Sequence, residues 1–136
     1  MKKGKKQTKE TILVTGGAGF IGSHLSKKLL TLGYHVIILD SFNNYYDPQL
    51  KKDRLKYLLA GLKFKLYKTD IRNLKALETV FKKEKIDKII HLAAQAGVRY
   101  SLANPFVYAD TNIMGTLNLL ELSKKYKIKQ FLFASS

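Results

Sequence analysis

Val14-Thr15-Gly16-Gly17-Ala18-Gly19-Phe20-Ile21-Gly22-Ser23-His24 is the stretch whose reading decides the fold. It contains G-x-G-x-x-G at Gly17, Gly19 and Gly22, and G-x-x-G-x-x-G at Gly16, Gly19 and Gly22. The short β-branched run Thr11–Thr15 before it reads as a strand. After it Phe20, Ile21, Leu25, Leu29 and Leu32 recur at helical spacing, which predicts a helix over Phe20–Leu32. A strand that turns sharply into a helix needs glycine at three points: for the turn, for close backbone approach to a pyrophosphate, and for tight packing of helix on strand. Free N–H groups at the helix start then face the phosphates. A glycine turn without a ligand is the bland alternative. It is disfavoured because the motif stands between strand and helix, with an acid, Asp40, at the end of the next strand.

The same alternation continues along the chain. His35–Leu39 is a continuous apolar strand, Gln49–Ala60 a helix with Leu50, Leu55, Leu58 and Leu59 on one side, and Lys63–Tyr67 a strand of period two. Asn73 suits the N-cap of a helix over Asn73–Lys85, and Asp87–Leu92 reads as the fourth strand. Pro105 fits a first helical turn, from which Phe106, Ile113, Leu117 and Leu120 run as a long helix to about Lys127. Gln130–Ala134 is the fifth strand. This pattern predicts an α/β fold, a Rossmann-type parallel sheet with helices on both faces and strand order 3-2-1-4-5. Buried runs such as Val36-Ile37-Ile38-Leu39 agree, because parallel strands are covered on both sides. One domain is expected over residues 11–136, preceded by a basic tail at 1–10 that holds five lysines.

Asp40 lies 18 residues after Gly22, where its carboxylate can accept ribose hydroxyls and repel a 2′-phosphate. No arginine lies between Asp40 and Asp53, and Lys51 and Lys52 are weaker clamps, so NAD is expected over NADP. Hydrophobic residues make up 46% of the 136, which places the chain in the globular class. Without cysteine there is no disulfide and no cysteine-built metal site, and a reducing compartment is permitted. The apolar run Ile12-Leu13-Val14 is short of the roughly 7 residues of a signal peptide and the roughly 20 of a membrane span. A cytoplasmic protein with no membrane partner is expected. The net charge is +15, but 22 of the 25 basic residues are lysines scattered along the chain. A nucleic-acid reader would concentrate arginine in a patch, so no nucleic-acid partner is expected. The excess can still steer anionic ligands inward.

The opening run resembles that of the extended short-chain dehydrogenase/reductase family, the NAD-dependent epimerases and dehydratases of nucleotide sugars. Three further stretches are similar to family segments: Thr69-Asp70-Ile71-Arg72 after the third strand, His91 to Ser101 around the end of the fourth, and Asp110 to Thr116 in the long central helix. Within the family, Ser41 to Pro48 with Leu50-Lys51 and Arg54-Leu55, and Ala96 to Ser101, are most similar to the UDP-glucuronate 4-epimerases. UDP-galactose 4-epimerases and dTDP-glucose dehydratases share most of this frame. The resemblance implies NAD as cofactor, with Gly16, Gly19, Gly22 and the backbone of Phe20 and Ile21 at the pyrophosphate. It implies Asp40, Asn43 and Asn44 around the adenine ribose, Asp70 and Ile71 at the adenine, and Leu92, Ala93, Ala94, Gln95 and Thr111 along the nicotinamide half. Asn112 would face the site as a structural polar group. Arg99, expected in a loop after the fourth strand, either clamps a sugar carboxylate or diphosphate or stays solvated. His24 and His91 read as core residues. A UDP-sugar substrate is implied as partner, and a homodimer built on the helix Pro105–Lys127 together with a later helix missing from these residues.

Family chemistry also needs a tyrosine base with a lysine four residues on, whose ammonium favours the phenolate. None of the eight tyrosines here has lysine at that position. If the chain continued as in the family, Ser136 would hold the assisting hydroxyl. These 136 residues are thus expected to be the NAD-binding N-terminal portion of such an enzyme, inactive alone. The alternative is a module that holds NAD without turnover.

Overall fold

The structure, a computed structural model, describes residues 9–135. Strand β1 (Thr11–Thr15) lies at the centre of a five-stranded sheet. On one side stand β2 (His35–Asp40) and then β3 (Lys65–Lys68); on the other, β4 (Lys88–His91) and then β5 (Gln130–Phe133). Every neighbouring pair is parallel, so the expected order 3-2-1-4-5 is the one observed. Thr15 is in register with both Leu39 and His91, which brings the ends of β1, β2 and β4 level at one edge of the sheet.

Side chains alternate across the sheet and divide the core in two. Ile12, Val14, Val36 and Ile38 face a layer made by α1 (Phe20–Thr31) and by α2 (Pro48–Asp53) with the π-helical turn after it, which contribute Leu29, Leu55 and Leu59. Leu13, Ile37, Leu39 and Ile89 face the opposite layer, α3 (Leu74–Lys83) and a long helix toward the C-terminus, through Leu77, Val80, Leu119 and Leu122. Each fully buried Leu or Ile side chain contributes about 1.5–3 kcal/mol, so the central strands carry much of the stability. Asn73 caps α3 as expected, accepting from Ala76 N at 3.1 Å.

Three segments depart from the sequence expectation. The helix expected over Gln49–Ala60 is α2, capped by Asp47 accepting from Gln49 N at 2.9 Å, followed by a π-helical turn at Arg54–Leu58. Val98–Ala103, expected as a loop, forms the short helix α4, so Arg99 stands on a helix. The long helix is α5 (Pro105–Tyr108), a π-helical turn at Ala109–Gly115, and α6 (Thr116–Lys125). Its apolar stripe Phe106, Ile113, Leu117 and Leu120 is exposed, at 77%, 66%, 45% and 44%, while Gly115, Leu119, Leu122 and Ser123 turn inward. Gly115 explains the choice of face. A Cβ there would lie 2.6 Å from the Ile71 side chain, so only glycine lets the helix approach so closely.

Residues 1–8 of the expected tail lie outside the described residues. Lys9 and Glu10 are held to the sheet. Glu10 O accepts from His35 N at 3.2 Å, its carboxylate pairs with Lys88 and Lys129, and the Lys9 ammonium lies 5.3 Å from the Tyr34 ring centre. Among the described residues no helix is long and apolar enough to cross a membrane.

Candidate functional site

The turn between β1 and α1 is built for close approach. Gly16 has φ +66°, and a Cβ on it would sit 2.9 Å from Ala93 N at the end of β4. A Cβ on Gly22 would sit 2.1 Å from Gly16 O, so the first turn of α1 rests directly on the loop. Gly19 differs, for its φ is an ordinary −70° and a Cβ would meet only Gly16 O, at 3.2 Å. Phe20 and Ile21 are both exposed at the start of α1. The smaller residues Gly22, Ser23 and Ser26 face the sheet.

Asp40 closes the next side. It is buried; Oδ2 accepts from Ala18 N at 3.2 Å, and Oδ1 accepts from Phe42 N at 3.0 Å and from Lys51 Nζ at 2.7 Å. The carboxylate thereby ties the glycine loop to the turn after β2, and it is already paired with a cation. Asp70, in the turn after β3, is gripped by Arg72 through Nε at 3.1 Å and Nη2 at 2.7 Å. That charge-assisted fork holds the Asp70 carboxyl below the usual carboxylate range. Asn118 Nδ2 donates to Ile71 O at 3.0 Å and fastens the same turn to α6.

The segment after β4 is fixed by Asn112, which accepts from Gln95 N at 2.8 Å and donates to Gln95 O at 3.2 Å. This is the structural role expected of Asn112. Tyr108 Oη donates to Ala96 O at 2.8 Å, and Tyr45 and Tyr100 rings pack with centroids 5.4 Å apart, joining the loop after β2 to α4. Beneath lies His91, buried as expected, between Thr15 and Thr116. His24, also expected in the core, is exposed, its Nδ1 2.7 Å from Phe20 O.

These elements enclose a cleft of about 560 Å³ over the ends of β1, β2 and β4. Of the residues singled out in the sequence, Gly16, Gly19, Phe20, Asp40, Asn43, Asn44, Asp70, Ile71, Leu92, Ala93, Ala94, Gln95 and Thr111 line it. Ile21, Gly22 and Arg99 lie off the lining, although Tyr100, next to Arg99, is on it. Ser136 lies outside the described residues. Sequence reasoning gave Tyr45, Tyr46, Arg54 and Arg72 no role in the site, and took Lys51 only for a weak phosphate clamp. A signal for Lys51 and Arg54 was present, since they lie three apart on a helix whose other side carries Leu55 and Leu59.

An elongated dianionic ligand fits this arrangement: a glycine cradle that a Cβ would fill, a buried acid beside it, and an apolar far wall. The family model described as GDP-mannose 4,6 dehydratase matches residues 13–136. The chain belongs to that epimerase/dehydratase family. It is 51% identical over 124 residues to a UDP-glucuronate 4-epimerase of Thermodesulfobacterium geofontis, covering 91% of this chain and 38% of that protein. The UDP-glucose 4-epimerase of Thermus thermophilus in complex with NAD superposes with a TM-score of 0.80 at 32% identity, over 93% of this chain and 37% of that one. The UDP-glucose 4-epimerase of Bifidobacterium longum in complex with NAD+ and UDP gives 0.76 at 37% identity, with the same coverage of 93% and 37%. The chain therefore spans well under half the length of the relatives it matches.

Proposed function

We propose that this chain binds NAD in the cleft over β1, β2 and β4, as the dinucleotide-binding portion of a nucleotide-sugar 4-epimerase acting on UDP-glucuronate. The observation that carries the reading is the glycine turn pressed on Ala93 at the point where strand order reverses, with Asp40 buried beside it. In this reading Gly19 gives the pyrophosphate room, Gly16 and Gly22 let the turn and the start of α1 close up beside it, and the N–H groups of Phe20 and Ile21 face it. Asp40, Asn43 and Asn44 surround the adenine ribose, and Asp70 and Ile71 hold the adenine. Leu92, Ala93, Ala94, Gln95 and Thr111 bound the nicotinamide half and keep water from it. Arg99 faces the sugar carboxylate or diphosphate, and Ser136 supplies an assisting hydroxyl if the chain continues as in the family. Bound there, NAD supplies hydride acceptance and return at sugar C4.

The likeness to UDP-glucuronate and UDP-glucose 4-epimerases supports a UDP-sugar substrate; a second copy of the chain as partner and work in the cytoplasm complete the proposal. A second reading, NAD binding without turnover, is favoured for these 136 residues by one fact: no tyrosine has lysine four residues on.

Titration calorimetry with NAD tests the cofactor role. Gly19 has ordinary backbone angles and borders the cleft, so Gly19→Val should leave the circular dichroism spectrum unchanged and weaken NAD by at least about tenfold. No NAD binding by the unmodified protein, or equal binding by Gly19→Val, would sink the reading. The 136-residue chain should show no conversion of UDP-glucuronate to its C4 epimer.

A further inference from the structure

The lysines are scattered along the sequence, but the fold gathers many of them at one end. The strands are parallel, so each returning helix ends at the edge where the next strand starts, opposite the cleft. The last turn of α1 carries Lys28, that of α3 Lys82 and Lys83, and that of α6 Lys124 and Lys125. Lys9, Lys63, Lys85, Lys127 and Lys129 stand in the segments that lead into β1, β3, β4 and β5. Contacts tie these ends together: Lys9 lies over the ring of Tyr34 just after α1, and Lys65 at the start of β3 pairs with Glu84 just after α3. All ten lysines of the helix ends and lead-in segments are exposed. The acids among them, Glu10, Glu84 and Asp87, are partly buried and engaged: Glu10 by Lys88 and Lys129, Glu84 by Lys65, and Asp87 by Lys129. Lys28, Lys82, Lys83, Lys85, Lys124 and Lys127 form no ion pair among the described residues.

A lysine in a last turn offsets the partial negative charge of a helix end, about half a charge per helix. Three such ends would be met by about two lysines, far fewer than are present. The three arginines lie elsewhere: Arg54 and Arg72 line the cleft, and Arg99 stands on α4, beyond the end of β4. Lysine is a hydrated point charge without the guanidinium fork that grips phosphates and bases one at a time. The rings of Tyr34 and Tyr126 are covered by Lys9 and Lys125, which leaves them poor platforms for stacked bases. A broad lysine surface turned one way suits a plane of anionic lipid headgroups, where each ammonium gains from the surface potential without a fixed partner.

We propose that the end of the molecule opposite the cleft docks on an anionic lipid bilayer. Seated there, the protein turns its cleft away from the lipid, open to soluble ligands. The short apolar run Ile12-Leu13-Val14 excludes a membrane span, whereas attachment to the surface needs none. Co-sedimentation with vesicles tests the proposal. Vesicles of phosphatidylcholine with about one third phosphatidylserine should bind the protein at low salt, and phosphatidylcholine alone should not. Salt at about 0.5 M should release it. Lys85→Gln combined with Lys124→Gln should weaken the binding by at least about tenfold, with an unchanged circular dichroism spectrum. Lys68→Gln combined with Lys75→Gln removes the same charge at the cleft end, where Lys68 is level with Asp40 and Lys75 lies in the first turn of α3. That control should alter binding by less than about threefold. Equal loss in the two doubles would reduce the effect to net charge and overturn the proposal. So would equal binding to phosphatidylcholine alone, or no binding to either vesicle. If the protein ignores vesicles but binds duplex DNA, and the first double loses that binding, the surface belongs to nucleic acid and the proposal fails.

Discussion

Thr15 Oγ1 accepts the backbone N–H groups of Leu92 and Ala93, each at 3.1 Å, and so has both lone pairs filled. Its proton then goes to His91 Nδ1 at 2.6 Å, which leaves the ring hydrogen on Nε2, donated to Thr116 Oγ1 at 2.8 Å. The network admits only the neutral imidazole, since a proton on Nδ1 would face an oxygen with no free lone pair. Burial pushes the His91 pKa down from 6.5 to about 4. The unfolded chain binds that proton more readily, so the stabilisation is complete above pH 6.5 and is lost as pH falls toward about 4. The full loss is about 3 kcal/mol, measurable as a lower urea midpoint at pH 4.5 than at pH 7. The His91 ring-proton resonance of the folded protein should stay at its neutral position down to about pH 5; a midpoint near its unshifted value would refute the network. That His91 is buried could be read from its apolar strand, but its partners could not, because Thr15 and Thr116 are 76 and 25 residues away. The turn after β1 was legible for the opposite reason: its glycines stand between a strand and a helix that adjoin them in sequence. His24 was misread because helical spacing near a glycine loop does not say which side of the helix meets the sheet.

At the scale of elements, the strands and the capped helix α3 could be read directly, since period, length and N-cap agree there. The two π-helical turns could not. One extra residue per turn barely changes apolar spacing, yet it rotates everything after it. The long helix shows the consequence, with its most regular apolar stripe exposed and its smallest residue inward. Gly115 has helical angles, so alanine there would gain helix propensity of roughly 1 kcal/mol. Its Cβ would still collide with Ile71, which is buried and cannot swing out. Gly115→Val should therefore cost about 2–3 kcal/mol in guanidinium unfolding, as overpacking does. Ile71→Ala, made in the same chain, should recover part of that loss; strictly additive costs would show that the two side chains do not meet.

For the molecule as a whole, the strand order was legible because right-handed crossovers and a central glycine loop leave few alternatives. How its outer surfaces are used was not, since exposure of an apolar stripe depends on packing that the pattern alone leaves open. Two apolar surfaces compete for a partner: the stripe Phe106, Ile113, Leu117 and Leu120, and the sheet edge with Leu132 and Phe133. An edge strand invites another strand, whereas a helix stripe invites another helix. A net charge of +15 on each copy opposes both kinds of contact at low ionic strength. Salt shortens the screening length from about 30 Å at 0.01 M to about 8 Å at 0.15 M, so association should strengthen as salt is added. We expect sedimentation velocity to show monomer at low salt and a growing dimer near about 0.5 M. Ile113→Asn and Leu117→Gln leave the net charge untouched, so any change they cause is a loss of apolar contact. Both should stay monomeric throughout, while Phe133→Ser should dimerise like the unmodified chain. If Phe133→Ser abolishes the dimer and the helix variants do not, the contact is edge to edge. The homodimer proposed through the long helix would then be wrong.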